Sequence, residues 1–221
     1  MGTGHAGLGA AFAARVKPVS ETAAHMIDLA YALDGGALPR EHRRALAAAV
    51  EQKLPWLAGL PDAAVHPLNV SAGAGPEALL SGRTRLTLRV PRGRVADAAA
   101  LVGSELVVGR RGLRVGAMQA RELLPYGTLY AHLVAADDED ELEFLRAARA
   151  ELDTLGVPCR SICGRHQVTE GGALQGFSLM LDGLSAAAAL RVLEAGLGRH
   201  RRLGCGVFVP HRSASAVGTP A

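Results

Sequence analysis

The spacing of apolar residues divides the first half of the chain into short predicted elements. Across residues 83–90, Arg or Thr alternates with an apolar residue over most of the segment, which predicts a strand with one exposed face. Leu46 and Val50 lie at helical spacing. Pro39 suits the first position of this helix, and Pro55 marks its end. The other predicted elements are strands at 24–33 and 65–70, a helix at 95–102, and a hairpin that joins 105–108 to 113–116.

The second half begins after Pro125-Tyr126-Gly127, where the pattern is interrupted. Its predicted elements are strands at 129–135, 157–164, 176–181 and 206–209, helices at 137–155 and 185–194, and a hairpin turn at Gly171-Gly172. Both halves then have the order β-α-β-β-α-β, which is that of a ferredoxin-like domain. We therefore predict an α+β fold of two tandem ferredoxin-like domains with a glycine-rich C-terminal loop. The predicted boundaries are a leader at 1–20, domains at 21–126 and 127–212, and a tail at 213–221.

Composition is that of a globular protein and excludes several other classes. Of the 221 residues, 49% are hydrophobic and 4% aromatic, and the formal net charge of +3 does not by itself indicate nucleic-acid binding. No apolar run reaches the roughly 18 residues of a membrane span, and the first residues lack a secretion signal. The cysteines Cys159, Cys163 and Cys205 form no disulfide framework. We expect a cytoplasmic protein with reduced thiols and no membrane partner.

The most informative stretch is the glycine-rich segment, residues 196–212, in which two Gly-x-Gly pairs bracket Arg-His-Arg-Arg. Glycines let backbone amides approach another molecule closely and form an anion-binding concavity. The arginines add permanently charged donors that suit phosphate. The segment matches neither a P-loop nor a dinucleotide fingerprint, since it has no Lys-Ser or Lys-Thr and its glycines lie between a helix and a strand. We predict that it binds a polyanion; a solvated turn that ends a helix is the alternative.

The glycine-rich segment resembles the C-terminal signature of the Cas-six family, the CRISPR-associated precursor-RNA endoribonucleases. In a compact branch, that signature has Gly-Leu-Gly, a basic run, Gly-Cys-Gly, an apolar residue, Phe, an apolar residue and Pro-His, all present between Gly196 and His211. Weaker agreement covers most of residues 25–212. The resemblance implies two ferredoxin-like domains and the binding of CRISPR repeat RNA as a stem-loop. It also implies cleavage to mature crRNA with a 2′,3′-cyclic phosphate and a 5′-hydroxyl, no cofactor, and other effector subunits as further partners.

Metal-independent RNA cleavage uses the neighbouring 2′-hydroxyl as nucleophile and needs a general base and a general acid. Histidine suits either role because its pKa lies near operating pH. The resemblance implies a catalytic histidine on or just before the first helix, a position that His42 occupies. Tyr31 and Lys53 are plausible second groups, and Ser71 or an arginine of residues 199–202 would also suit the phosphate. The second role therefore stays open.

We expect RNA to contact the glycine-rich segment, the start of the first helix and the tip of a hairpin. The predicted contacts are Gly198, Arg199, His200, Arg201, Arg202, Gly204, Gly206, Arg43, Arg44, Arg110 and Arg111. Arg83, Arg85 and Arg89 share one face of a predicted strand and could also follow the RNA backbone. Scarce aromatic residues argue against stacking along a long single strand. Cys159-x3-Cys163 with a nearby histidine has weak metal-ligand spacing, so we predict no metal site.

Two other functions remain open from the sequence. The first is a non-catalytic RNA-binding subunit of a CRISPR effector complex, which would hold the same RNA without cutting it. The second is a ferredoxin-like regulatory domain whose basic loop binds a phosphorylated metabolite. An endoribonuclease remains the leading prediction, because the glycine-rich segment and His42 together match the family.

Overall fold

Each half of the chain folds into an antiparallel sheet with helices on one face, in the predicted β-α-β-β-α-β order. The computed structural model describes residues 24–72 and 75–211, so the predicted leader at 1–20 and tail at 213–221 lie outside the described residues. Spacing of apolar residues was sufficient to find this order, and the α+β class with two tandem ferredoxin-like units is confirmed.

The first unit contains a five-stranded sheet, a small three-stranded sheet and two α-helices. Its strands are β1 (Met26–Asp34), β2 (Ala37–Pro39), β3 (Ala64–Val65), β4 (Ser71–Ala72), β5 (Glu77–Leu79), β6 (Arg85–Pro91), β7 (Glu105–Val108) and β8 (Arg111–Arg121). Its helices are α1 (Arg43–Lys53) and α2 (Val95–Ala98), with 3-10 turns at Pro55–Gly59, Arg92–Arg94 and Ala99–Leu101. The large sheet has the order β3-β6-β1-β8-β7, and Leu46 and Val50 of α1 pack in its core.

The second unit has a four-stranded sheet in the order β10-β11-β9-β12. Its elements are β9 (Thr128–Ala135), α3 (Glu141–Thr154), β10 (Arg160–Thr169), β11 (Leu174–Asp182), α4 (Ala186–Ala195) and β12 (Val209–Pro210), with 3-10 turns at Glu170–Gly172 and Arg201–Leu203. Asp140 and Ser185 cap α3 and α4 by accepting backbone N–H bonds. β8 ends at Arg121 and β9 begins at Thr128, and the domain boundary near residue 126 stays a prediction.

The first helix begins four residues later than the sequence predicts. Pro39 lies in β2 and pairs with Glu77, and the N–H of Arg40 donates to the carbonyl of Pro76, so the chain is still extended there. α1 therefore begins at Arg43, with His42 at its N-cap. This position places the ring of His42 against the carbonyls of Pro39 and Arg40, which decides the chemistry of the ring.

The prediction that β6 exposes its arginines is wrong for Arg89, whose side chain is 1% exposed. Its guanidinium donates to both carboxylate oxygens of Asp28, at 2.7 and 2.9 Å. It also donates to the carbonyls of Leu193 and Phe208 in the second unit, at 2.7 and 3.1 Å. Arg89 thus joins the two units through a buried network and is not available to follow an RNA backbone.

Within residues 24–72 and 75–211, no helix combines the length and apolar character needed to cross a bilayer.

Candidate active site

The hydrogen bonds of His42 define the tautomer of its ring. Nδ1 lies 2.9 Å from the carbonyl oxygens of both Pro39 and Arg40. A carbonyl oxygen only accepts hydrogen bonds, so Nδ1 must carry the proton. In the neutral ring, Nε2 then bears the lone pair and is the atom that can accept a proton from a substrate.

Burial keeps the His42 ring neutral. The residue is 7% exposed, and this burial lowers the pKa of the imidazole below its usual range. The two carbonyl hydrogen bonds and Glu170 oppose the shift, whereas the neighbouring Arg43 adds to it. A histidine with a lowered pKa is deprotonated at neutral pH, which is the state a general base requires.

The ring lines a narrow crevice between the two units, which we call the histidine crevice. The residues around it are His42, Arg43, Leu46, Val65, His66, Pro67, Leu68, Arg202 and Leu203. The first three lie at the N-cap and in the first turns of α1, and the next four lie at the end of β3 and just after it, whereas Arg202 and Leu203 belong to the glycine-rich segment. The structure therefore brings the predicted catalytic histidine and part of the predicted RNA-binding segment to one place.

Arg43 holds the glycine-rich segment against the start of α1. Its Nη1 donates to the carbonyls of Leu203 and Gly204, at 2.9 and 3.3 Å, and its backbone N–H donates to Glu170 Oε1 at 2.8 Å. A Cβ on Gly204 would lie 2.9 Å from the same Nη1 and 3.1 Å from Pro67, so glycine permits this close approach. Gly198 is not at the crevice, because its N–H donates to Glu151 on α3 at 2.7 Å.

Most of the amides predicted to bind an anion are already bonded within the protein. The N–H groups of Leu197 and Gly206 donate to the carbonyls of Gly206 and Leu133, and those of Gly204 and Cys205 donate to Arg201 and His200. Positive φ angles occur at Gly196, Gly198, His200, Gly204 and Gly206. The glycines thus serve first to fold the segment tightly onto itself. The N–H groups at those positions do not form the anion-binding concavity that the sequence predicted.

Substituting Gly206 with Ala is expected to cost far more stability than the same change at Gly171. The two glycines have almost equal φ angles, +62° and +63°, so alanine at either position carries the same left-handed strain of about 1–2 kcal/mol. A Cβ on Gly206 would overlap the carbonyl oxygen of Leu197, whereas one on Gly171 would meet nothing within 4 Å. Urea unfolding of both variants measures the difference, and equal midpoints would contradict the close approach.

The predicted RNA-binding arginines differ in how much of each is available. Arg201 is 6% exposed and donates to the carbonyls of Asp62, Ala195 and Glu194, so it is a structural residue of the segment and not an RNA contact. Arg202 is partly exposed and paired with Glu51 at 2.7 Å, and its guanidinium lines the histidine crevice. The exchange of a single carboxylate partner for a phosphate would free Arg202 for RNA.

The other predicted contacts lie away from the crevice or at its edge. Arg199 is exposed and paired with Asp137, and Arg44 donates weakly to the carbonyl of Ala173 at 3.4 Å. Arg110 is exposed at the turn between β7 and β8, and Arg111 is paired with Glu77. His200 is exposed, in a left-handed conformation. None of these positions lines the histidine crevice, so any contact they make is with RNA farther from His42.

Two residues considered for a second catalytic role have other environments. Tyr31 is fully buried and its hydroxyl donates to the carbonyl of Ala98 at 3.0 Å, while burial raises the pKa of its phenol. Lys53 is exposed in the last turn of α1, the end opposite His42. Tyr31 therefore belongs to the core, and the length of α1 separates Lys53 from the crevice.

His66 is a crevice residue that the sequence reasoning passed over. Its Nε2 lies 3.3 Å from Asp28 Oδ1, in the same buried network as Arg89. In sequence it stands between Val65 and Pro67 with no motif around it, and the only signal was its place near the start of the strand predicted at 65–70. Asp28 lies 38 residues away along the chain, so their contact depends on the pairing of β1, β6 and β3.

The described residues offer no cluster of side chains for a metal ion. Within 24–72 and 75–211, no group of three or more His, Cys, Asp or Glu side chains has the arrangement to hold one. Cys159 and Cys163 are half-buried free thiols, and burial raises the pKa of both.

Several solved structures share the fold of this chain. The fold resembles that of a structure described as CRISPR associated protein Cas6, with a TM-score of 0.62 and 10% identity over 85% of this chain and 100% of the other. A second, a Cas6-related protein from Pyrococcus furiosus, has a TM-score of 0.60 and 14% identity over 83% and 98%. A third, described as a RAMP protein binding different RNA substrates, also has a TM-score of 0.60, with 16% identity over 82% and 98%. At these identities the likeness shows the fold.

A family model and a sequence relative identify the family. The family model described as Cas6 Crispr matches residues 27–213, which is most of the chain. The CRISPR-associated endonuclease Cas6 of Myxococcus xanthus (strain DK1622) is 36% identical over 194 residues, or 86% of this chain and 84% of the relative. The chain belongs to the Cas6 family, as the glycine-rich signature indicated.

Proposed function

We propose that this chain is an endoribonuclease that binds CRISPR repeat RNA and cuts it to mature crRNA in the cytoplasm, with His42 as general base. Membership of the Cas6 family gives the class of activity. The observation that carries the assignment of His42 is its neutral ring, with Nδ1 held by two carbonyls, in the crevice that Arg202 and Leu203 also line. A base, a cation and the glycine-rich segment are thus available to a single phosphodiester.

In the proposed reaction, His42 Nε2 takes the proton of the 2′-hydroxyl next to the cut. The 2′-oxygen then forms a bond to phosphorus while the bond from phosphorus to the 5′-oxygen breaks. The leaving 5′-oxygen takes up a proton, so the products are a 2′,3′-cyclic phosphate and a 5′-hydroxyl. Arg202 supplies positive charge for the pentavalent phosphate, where such a charge has its largest effect on rate.

RNA reaches His42 only after part of the crevice opens. His42 is 7% exposed, and Arg202, which lines the same crevice, is paired with Glu51. A phosphate that displaces the Glu51 carboxylate would draw the Arg202 side chain toward the RNA and uncover more of the crevice. The same RNA would extend across the edge of the glycine-rich segment, where Arg199 and His200 are exposed.

Incubation of end-labelled repeat RNA with the purified protein in EDTA tests the activity. We expect one defined cut per repeat, with a cyclic phosphate on the upstream product. A single 2′-deoxy nucleotide just upstream of the cut is expected to abolish cleavage and leave binding intact, because only the nucleophile is removed. Intact but bound RNA would instead indicate a non-catalytic RNA-binding subunit. Weak binding that does not depend on the RNA sequence would contradict both the endoribonuclease and the RNA-binding subunit.

A further inference from the structure

The second sheet has one face covered by helices and one face that solvent reaches. Ala131 and Leu179 pack with α3 and α4 in the core, so the alternating residues of β9 and β11 project from the opposite face. Tyr130 of β9 is opposite Met180 of β11 and Val209 of β12 on that face. We call it the open face of the second sheet.

Three rings meet on this open face. The Tyr130 and His132 rings have centroids 4.9 Å apart at an interplanar angle of 81°, and those of Tyr130 and His211 are 5.5 Å apart at 50°. Tyr130 is half-buried, whereas His132 and His211 are exposed. Clustered rings usually belong to a core, but these three lie on a sheet face that solvent reaches. An unpaired nucleobase can stack on such a ring whatever its sequence.

The rings are continuous with the proposed active site. Leu133, the residue after His132 in β9, packs with Cys205 and Leu203 of the glycine-rich segment, and its carbonyl accepts the N–H of Gly206 at 2.7 Å. Arg43 donates to the carbonyls of Leu203 and Gly204 at the border of the histidine crevice. A chain of nucleotides that leaves the crevice along this segment therefore reaches the part of β9 that carries His132.

Arg43 is the cation that acts on the ring cluster, since its charge is felt at His132. The carboxylate of Asp182 on the neighbouring strand is already neutralised, because it accepts bonds from Thr128 Oγ1 and Arg160 Nη2, at 2.7 and 2.6 Å. Bases on the rings would place the ribose-phosphate chain near Arg43, in the way a sheet surface with aromatic residues binds single-stranded RNA.

We propose that Tyr130, His132 and His211 form a stacking platform for about two or three unpaired bases of the repeat RNA, adjacent to the cut. This proposal rests on the proposed function, because it takes the bound polymer to be the same RNA. The platform explains how a protein with few aromatic residues could hold the single-stranded part of its substrate. It adds a binding site at the open face to the one at the glycine-rich segment.

Affinity for repeat RNA with a 2′-deoxy nucleotide at the cut tests the platform. Tyr130→Leu is expected to weaken binding by roughly five- to 150-fold, the loss of stacking for one base. An RNA whose unpaired flanks are abasic is expected to bind Tyr130→Leu and the wild type equally. Tyr130→Phe retains the ring and is expected to retain affinity. The salt slope of binding is expected to stay the same in Tyr130→Leu, since no phosphate contact is removed.

Two further variants keep the test decisive. Tyr126 is 47% exposed in the segment between the units, so Tyr126→Leu is the matched control and is expected to bind normally. His211→Ala alters an exposed side chain and tests the same platform if Tyr130→Leu fails to fold. Normal affinity in both platform variants, or equal losses with the abasic RNA, would overturn the proposal. Absence of cleavage by the wild type in EDTA would instead refute the proposed function itself.

Discussion

Replacement of His42 by Asn is expected to lower the single-turnover cleavage rate by about 10²- to 10⁴-fold with little change in RNA affinity. The Asn amide can still donate to the carbonyls of Pro39 and Arg40, as Nδ1 of His42 does, but it offers no base in place of Nε2. The loss therefore falls on proton transfer and not on the local fold. Rates at saturating enzyme and affinities for 2′-deoxy RNA measure the two effects separately.

The control for this variant is His25→Ala. His25 is an exposed histidine just before β1, and it is not part of the histidine crevice. The His25→Ala variant is expected to cleave RNA at the wild-type rate. Wild-type cleavage by His42→Asn would move the catalytic role to another group, whereas a loss of affinity equal to the loss of rate would make His42 an RNA contact only.

The dependence of kcat/KM on pH distinguishes a base from an acid at His42. Burial lowers the pKa of the ring below 6.5, so a base is ready at neutral pH and is lost only as pH falls through the lowered value. We expect the rate to be level near neutrality and to fall under acidic conditions. If His42 acted as the acid, the rate would instead fall as pH rises through the same value. His42→Asn is expected to lose the acidic limb of the profile.

Replacement of Arg89 by Met is expected to destabilise the fold by about 3–5 kcal/mol, because it leaves a buried carboxylate without its partner. Arg89 is 1% exposed and donates to Asp28, Leu193 and Phe208, so the variant loses bonds both within the first unit and between the units. Urea unfolding at neutral pH measures the free energy of unfolding. Unfolding has to be followed with two probes, one in each unit, because the two units could unfold separately once the shared network is lost.

Arg146 provides the matched control for Arg89. It forms an ion pair with Glu143 on the surface of α3, and both side chains are well exposed. Arg146→Met is expected to change stability by about 0–1 kcal/mol, the usual range for a solvent-exposed pair. Similar losses in the two variants would contradict the role assigned to the buried network.

Acid is expected to act on the same network through Asp28. Burial alone would raise the pKa of this carboxyl, but the contacts with His66 and Arg89 outweigh it and hold the pKa well below its usual range. A group with a lowered folded-state pKa stabilises the protein above its unfolded pKa, and this stabilisation is lost as pH falls below that value. The wild type should therefore lose stability in acid more steeply than Arg89→Met.

Topology was predictable from the sequence because it depends on local spacing. The spacing of Leu46 and Val50 predicts α1, and the alternation at 83–90 predicts β6. Neither pattern contains information about the distant residues that these elements contact. Turn residues placed the hairpins nearly where the structure has them. The predicted bounds of helices and strands were less accurate where strand pairing decides them. Pro39, for example, is extended because it pairs with Glu77.

Contacts between distant segments were the part that the sequence could not supply. Arg89 follows the alternation of a half-exposed strand, and only its contacts with Leu193 and Phe208 show that a second unit covers it. Arg201 is likewise an arginine of a basic run whose partners are carbonyls up to 139 residues away. A count of aromatic residues could not show that Tyr130 lies beside two histidines, one from β9 and one just after β12.

His42 was found in the sequence through a family resemblance, and its chemistry came from the structure. The resemblance pointed to a histidine near the first helix, whereas the tautomer follows from two carbonyls that the N-cap position brings to Nδ1. The crevice itself joins α1 to residues about 160 positions later. Such a contact depends on how the two units pack, which local patterns do not encode.

The most direct measurement is the structure of the protein bound to repeat RNA that carries a 2′-fluoro group in place of the 2′-hydroxyl at the cut. The substitution removes the nucleophile and keeps the sugar in place. We predict that His42 Nε2 lies about 2.6–3.2 Å from this 2′-position, or one water away, with Arg202 at the adjacent phosphate. RNA bound with the cut site remote from the histidine crevice, beyond the reach of one water, would contradict the account.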